Sequence, residues 1–178
     1  LSLRAGSNET TRGGTTFAVA SYIIHPDHND DTKQNDVAVI TIARSFTGYT
    51  NVAPIRLQET ELAISSSSPT WCYALGWGRM KDLKPATVLQ YVGLQLLTQE
   101  LCKSTYLGPS FDMQTIICAM KEGTSMCQGD SGGPLVCNNR LFGIASFVIS
   151  GCSIVRPGVF VRIPSSSVIS FIKNNTVF

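Results

Sequence analysis

The sequence predicts an all-β protein, a barrel or a sandwich, finished by a C-terminal helix. Three observations predict it. Short apolar runs rich in β-branched residues recur along the chain, with Gly, Pro and Ser between them. Only the end of the chain joins a proline, a serine run and a helical apolar stripe. The 178 residues are 43% hydrophobic and 15% charged, which suits one domain with a real core or two small ones sharing an interface, and excludes global disorder.

The strands are read in order. Thr16 to Ile24 is β-rich and stops at His25-Pro26. Asp36 to Ile42 reads Asp-Val-Ala-Val-Ile-Thr-Ile, a buried strand by its branching. Trp71 to Gly76 follows, stopped by Gly76-Trp77-Gly78. Then come Leu89 to Leu97, Ile116 to Met120, Pro134 to Cys137, Leu141 to Phe147 and Gly158 to Ile163. Thr98 to Tyr106 reads as a short helix with Thr98 as N-cap. Ser165 to Asn174 reads as the terminal helix, with the serines as cap and Val168, Ile169 and Ile172 as its apolar stripe. Ser65-Ser66-Ser67-Ser68-Pro69 is a low-complexity connector. The chain divides into 1–64, a connector at 65–70, a second unit at 71–163 and the helix at 164–178.

A formal net charge of +2 argues for neither nucleic acid nor an anionic membrane as partner. The longest apolar stretch, Leu141 to Val155, is too short and too interrupted for a membrane span. The opening Leu1-Ser2-Leu3-Arg4-Ala5-Gly6 does not read as a secretory leader. Six cysteines stand at 72, 102, 118, 127, 137 and 152 with no CxxC pair, which favours disulfides in a secreted, extracellular protein over zinc or redox motifs. Their spacing alone leaves all of the roughly 15 pairings open. Asn8-Glu9-Thr10 and Asn174-Asn175-Thr176 are glycosylation sequons that agree with that compartment. No dinucleotide fingerprint, phosphate loop or metal cluster is present, so no cofactor is expected.

The chemistry lies in Gly129-Asp130-Ser131-Gly132-Gly133-Pro134. Glycines around one serine let a ligand approach the backbone and permit positive φ. Such a turn presents a hydroxyl beside N–H groups that can hold an oxyanion, which acyl transfer requires.

Several segments together resemble the trypsin and chymotrypsin family of serine proteases. They are Asn35-Asp36-Val37-Ala38-Val39-Ile40, Leu75-Gly76-Trp77-Gly78, Cys127 through Cys137 around the serine, Arg156-Pro157-Gly158-Val159-Phe160 and the terminal helix. The resemblance implies two antiparallel six-stranded β-barrels, the first incomplete in this chain. It implies a serine endopeptidase acting on peptides or proteins, and protein protease inhibitors as further partners. By the same resemblance Ser131 is the nucleophile and Asp36 the carboxylate that orients a general-base histidine. Gly129 and Ser131 supply the oxyanion N–H groups, and Asp130 is the carboxylate that an activated amino terminus meets. The implied disulfides are Cys72 with Cys137, Cys102 with Cys118, and Cys127 with Cys152. Some relatives bind calcium on the loop matching Gly6 to Gly14, but Glu9 is the only carboxylate there, too few for that ion.

One part of the pattern has no match. The family's general base lies in an Ala-Ala-His-Cys-like segment, and the two histidines here, His25 and His28, fall in a surface-loop segment instead. The expectation is a truncated chain, with about 50 to 60 family residues absent. Three readings follow: a C-terminal fragment of a protease, a cleavage product held to its own N-terminal fragment, or an inactive homologue acting as a binding protein.

The resemblance puts Ser125 at the base of the primary specificity pocket, where trypsins carry an aspartate. Losing that charge disfavours basic side chains. Met126 is apolar, Ser146-Phe147-Val148 matches the strand that pairs with substrate, Val148 narrows the entrance and Gly158 stays small. The expected specificity is chymotrypsin- or elastase-like: Leu, Met or small aliphatic residues before the scissile bond.

Overall fold

The computed structural model describes residues 1–149 and 151–176. Ser150, inside the long apolar stretch, and the final two positions of the terminal unit lie outside the described residues. The first sheet has three antiparallel strands: β1 (Ser2–Ala5), β2 (Thr15–Ile24) and β3 (Ala38–Ile42). A short β4 (Arg56–Leu57) follows. Next come β5 (Trp71–Gly76), β6 (Gln90–Leu96), β7 (Ile116–Met120), β8 (Pro134–Cys137), β9 (Arg140–Val148) and β10 (Gly158–Arg162). These six run β10-β7-β6-β5-β8-β9, and β10 pairs with β9 to close a barrel. β4 joins this sheet rather than the first one, pairing parallel to β9.

Closure lets alternate side chains fill one interior. Leu94, Ile117, Leu135, Phe142 and Phe160 are fully buried there, each contributing about 1.5–3 kcal/mol of transfer free energy. Cys72 bonds Cys137 across paired positions of β5 and β8, and Cys102–Cys118 and Cys127–Cys152 staple the barrel's loops. The first-sheet loop docks on the barrel through its backbone. Asn8 O accepts from the Trp77 indole at 3.0 Å and from Leu89 N–H at 2.6 Å.

The strand predicted from Asp36 begins at Ala38. Asn35 sits at φ 52° and its carbonyl accepts the Val37 N–H at 2.8 Å, a tight turn that holds Asp36 outside the ladder. The helix predicted at Thr98 is a single α-turn, α1 (Gln99–Leu101), continued by a π-helical turn over Cys102–Leu107. Thr98 does cap it, with its hydroxyl accepting from Leu101 N–H at 3.2 Å. The wider turn is closed by Gly108 N–H on Lys103 O.

The terminal helix, α2 (Ser166–Asn175), buries Val168, Phe171 and Ile172. Ser165 stands at its N-cap position, but the hydroxyl makes no cap bond. Ile169 N–H bonds the Ser165 carbonyl instead. α2 packs in one cluster with Val37 and Val39 from the first-sheet side and Leu57, Leu141, Val161 and Ile163 from the barrel side. That shared cluster brings the start of β3, and with it Asp36, against β9.

Candidate active site

Ser131, Ser146 and Asp36 come from three segments and meet at one place. Ser131 is exposed on the turn before β8, and its hydroxyl points to the Ser146 carbonyl on β9 at 3.5 Å. The Ser146 hydroxyl donates to Asp36 Oδ2 at 2.5 Å. Ser146 thus touches both predicted catalytic side chains. Its place on a strand, β9, is legible in the sequence. Its hydroxyl contact is not, because the partner lies 110 residues away.

The turn that carries Ser131 takes its shape from Asp130. Its carboxylate accepts Gly78 N–H at 2.8 Å and Cys127 N–H at 2.9 Å, so two neutral backbone donors satisfy it. A Cβ at Gly76 or Gly78 would overlap this carboxylate, which explains the two glycines of the Gly-Trp-Gly turn. Gly129 sits at φ 97°, a conformation that favours glycine. The N–H groups of Asp130, Gly132 and Gly133 are bonded to Cys127, Ala145 and Asp130 carbonyls. Those of Gly129 and Ser131 donate to no described residue.

Asp130 also faces a cavity of about 950 Å³, lined among others by Ser125, Met126, Gly76, Gly78 and Tyr91. Ser146, Phe147, Val148 and Gly158 are not in its lining. Ser125 turns its hydroxyl to the Met126 carbonyl at 2.7 Å. Met126 is 3% exposed and fills the space over Gly158, where a Cβ would come within 3.0 Å of Met126 Cγ and Sδ. Gly158 and Val148 are paired neighbours on β10 and β9, as are Val159 and Phe147.

Both histidines are held elsewhere. His25 is buried, its Nδ1 accepting Asp27 N–H at 3.1 Å and its Nε2 bonding Ser167 on α2 at 3.0 Å, with the ring 4.7 Å from Phe171. His28 bonds Gln34 O and Asp30 Oδ1, each at 3.2 Å. The His28 contact, with Lys33 beside it, holds the exposed Asp30 carboxyl below its ordinary range. No group of three His, Cys, Asp or Glu side chains able to hold a metal occurs among the described residues. No described helix is long and apolar enough to cross a membrane.

Residues 1–172 match the family model described as Trypsin. The chain is 35% identical over 164 residues to Trypsin delta of Drosophila melanogaster, covering 90% of this chain and 63% of that one. It is 35% identical over 170 residues to Trypsin of Sarcophaga bullata, covering 93% and 65%. Among solved structures it is similar to neuropsin, a serine protease expressed in the limbic system of mouse brain. That match has a TM-score of 0.85 and 27% identity, over 97% of this chain and 78% of the neuropsin chain. The chain therefore spans under two thirds of the length of these curated trypsins. The match runs through the serine turn, the aspartate turn and the closed barrel alike, and the chain belongs to the trypsin family of serine proteases.

Proposed function

We propose that this protein acts as a serine endopeptidase with Ser131 as nucleophile and Asp36 as the carboxylate of the triad. The observation that carries the reading is the Ser131–Ser146–Asp36 contact chain. In this mechanism Ser131 Oγ bonds to the scissile carbonyl carbon while its proton passes to an imidazole. The carbonyl oxygen becomes an oxyanion, received by the N–H groups of Gly129 and Ser131, which donate to no described residue. Each such donor is worth about 10²–10³ in kcat. The imidazolium, steadied by Asp36, returns its proton to the leaving amine, and water then releases the acyl group through the same imidazole.

His25 and His28 are both bonded elsewhere, so in this reading the imidazole comes from a further segment. A separate N-terminal fragment bound to this chain is one source. Substrates are extracellular peptides or proteins, and protein inhibitors would bind the same strand, β9. Three disulfides support the secreted setting. Ser125 supplies no charge for a basic side chain, and Met126 packed on Gly158 presents an apolar wall that disfavours bulky groups. The preferred residues before the scissile bond are thus small aliphatic, Leu or Met.

The engagement of both histidines also favours a second reading, a catalytically inactive homologue that binds through the same groove. Fluorophosphonate labelling of native protein separates the two. Label at Ser131 on a species heavier than this chain's 19.2 kDa means a longer protease, and label at 19.2 kDa means a nicked enzyme with a bound fragment. Folded protein that takes no label is the binding protein.

A further inference from the structure

We infer that Thr115, a buried residue of the closed barrel, is a positioning residue for Asp36. The inference rests on the catalytic reading of Asp36 above and adds a residue to it. Asp36 lies on no regular element. It is held between a loop, Asp27 to Gln34, and the first residue of β3, and Asn35 before it takes a left-handed φ of 52°. Asparagine tolerates that conformation better than most residues, yet it needs outside bonds to persist.

The first of those bonds crosses between the two sheets. Asn35 N–H donates to Thr115 Oγ1 at 3.1 Å, with Asn35 8% and Thr115 5% exposed. Thr115 is itself fixed, because its carbonyl accepts Arg162 N–H of β10 at 2.8 Å and it directly precedes β7. On the loop side, Asn35 Nδ2 donates to Asp27 O at 3.1 Å. On the strand side, the Asn35 carbonyl accepts Val37 N–H at 2.8 Å.

Asp36 thus has two anchors, both on the closed barrel. Ser146 holds its carboxylate and Thr115 holds the Gln34–Asn35 peptide, one unit before it. One hydrogen bond to a carboxylate leaves its side chain free to swing unless the backbone behind it is fixed, and Thr115 provides that fixation. Loss of the hydroxyl would strand the buried Asn35 N–H, and the Gln34–Asn35 peptide would turn to find water, carrying the next residue, Asp36, with it. The carboxylate would then leave the position from which it orients the imidazole. A displacement of about 1 Å in such a group can cost around 10²-fold in rate.

The test uses the protein secreted from its full coding sequence, as Thr115→Val, Thr115→Ser and Asp36→Asn. The serines are counted by fluorophosphonate titration, and kcat per titrated serine is read with KM and the melting temperature. Thr115→Val is expected to lower kcat per titrated serine by about 10- to 100-fold with KM within about twofold, the signature of an interaction needed only in the transition state. Thr115→Ser keeps the oxygen and is expected to stay within about twofold of the parent. A Val variant that melts earlier yet keeps its kcat per titrated serine overturns the inference and leaves Thr115 a stability residue. So does a folded Ser variant whose kcat per titrated serine falls about 10-fold or more, and this arm stands even if the Val variant does not fold. Asp36→Asn sets the reference with a loss of the order of 10⁴, the loss known for this change in the serine-protease triad. If Asp36→Asn is silent, the catalytic reading falls and takes this inference with it.

Discussion

The closed barrel and the three-stranded sheet show what the same kind of strand gains from closure. In the barrel, β10 returns to β9, buried apolar side chains fill the interior, and all three disulfides tie its strands and loops. In the sheet, β1 and β3 each have one strand neighbour among the described residues, and Phe17 is its one fully buried large side chain. Tyr22, Ile24 and Ile40 on neighbouring strands are 64%, 54% and 42% exposed. Both regions have β-branched strands, so strand propensity does not separate them. The difference is whether a second layer covers the apolar face. The proposed site lies on the seam between them: Ser131 and Ser146 from the barrel, Asp36 from the sheet side.

The largest expected effect tests whether the seam works as one unit. Ser131→Ala should abolish turnover, with the loss reaching about 10⁶-fold as for other nucleophile deletions in this mechanism. The check is kcat/KM on an apolar peptide ester. Should Ser131→Ala retain parental turnover, the proteolytic reading would be wrong.

Stability should divide the two regions next. Phe142→Ala removes a fully buried ring from the barrel and should cost about 3–5 kcal/mol. Ile40→Ala, on the half-open sheet face, should cost less than about 1 kcal/mol, because its side chain already meets solvent. Urea midpoints on the same preparation read both, provided the m-values agree. Equal losses would mean that the sheet face is covered in solution and that the contrast drawn here is false.

A middle-sized effect concerns the staples. Cys102 and Cys118 close a loop of 16 residues, for which chain entropy predicts about 3 kcal/mol. Replacing both by Ser should lower stability by that order. Because the loop is anchored in the barrel, amide exchange should rise along β7 and leave β2–β3 unchanged. Exchange that rises equally in both regions would mean they unfold as one.

The barrel was the more legible region in the sequence, and the reason is physical. Strands bounded by Gly and Pro and buried on one face carry local signals, and the turn around Ser131 needs glycine for the positive φ at Gly129 and Gly132. The runs at Trp71, Ile116, Pro134 and Gly158 accordingly lie within a residue of where they were read. The misses depend on long-range partners. β4 has two residues, too few for a pattern, and exists only because β9 accepts it in parallel. The β-branched run Val37 to Ile42 draws Asp36 into the strand on sequence grounds, whereas the strand starts at Ala38. The turn that excludes Asp36 depends on Asn35 and on Thr115, 80 residues away. The π-turn after Thr98 has no sequence period of its own. The tie of Gln58 N–H to Leu141 O also has no local signal, because its partner lies far along the chain.

The smallest effect concerns the loop that leads to Asp36. His28, bonded to Asp30, and Lys33, 3.4 Å from it, both favour the ionised carboxyl, so its folded pKa lies below 3.8. A carboxyl depressed on folding adds stability above its unfolded pKa, and that addition is lost as pH falls through the folded value. The window therefore lies below about pH 4. Asp30 is 87% exposed, so salt screens both contacts and the stability share is small. The measurable quantity is the titration itself. By carbonyl-detected NMR, Asp30 should titrate below 3.8 at low salt, and its midpoint should move up in His28→Ala and again in high salt. If His28→Ala leaves the midpoint in place, His28 is not what holds the carboxyl.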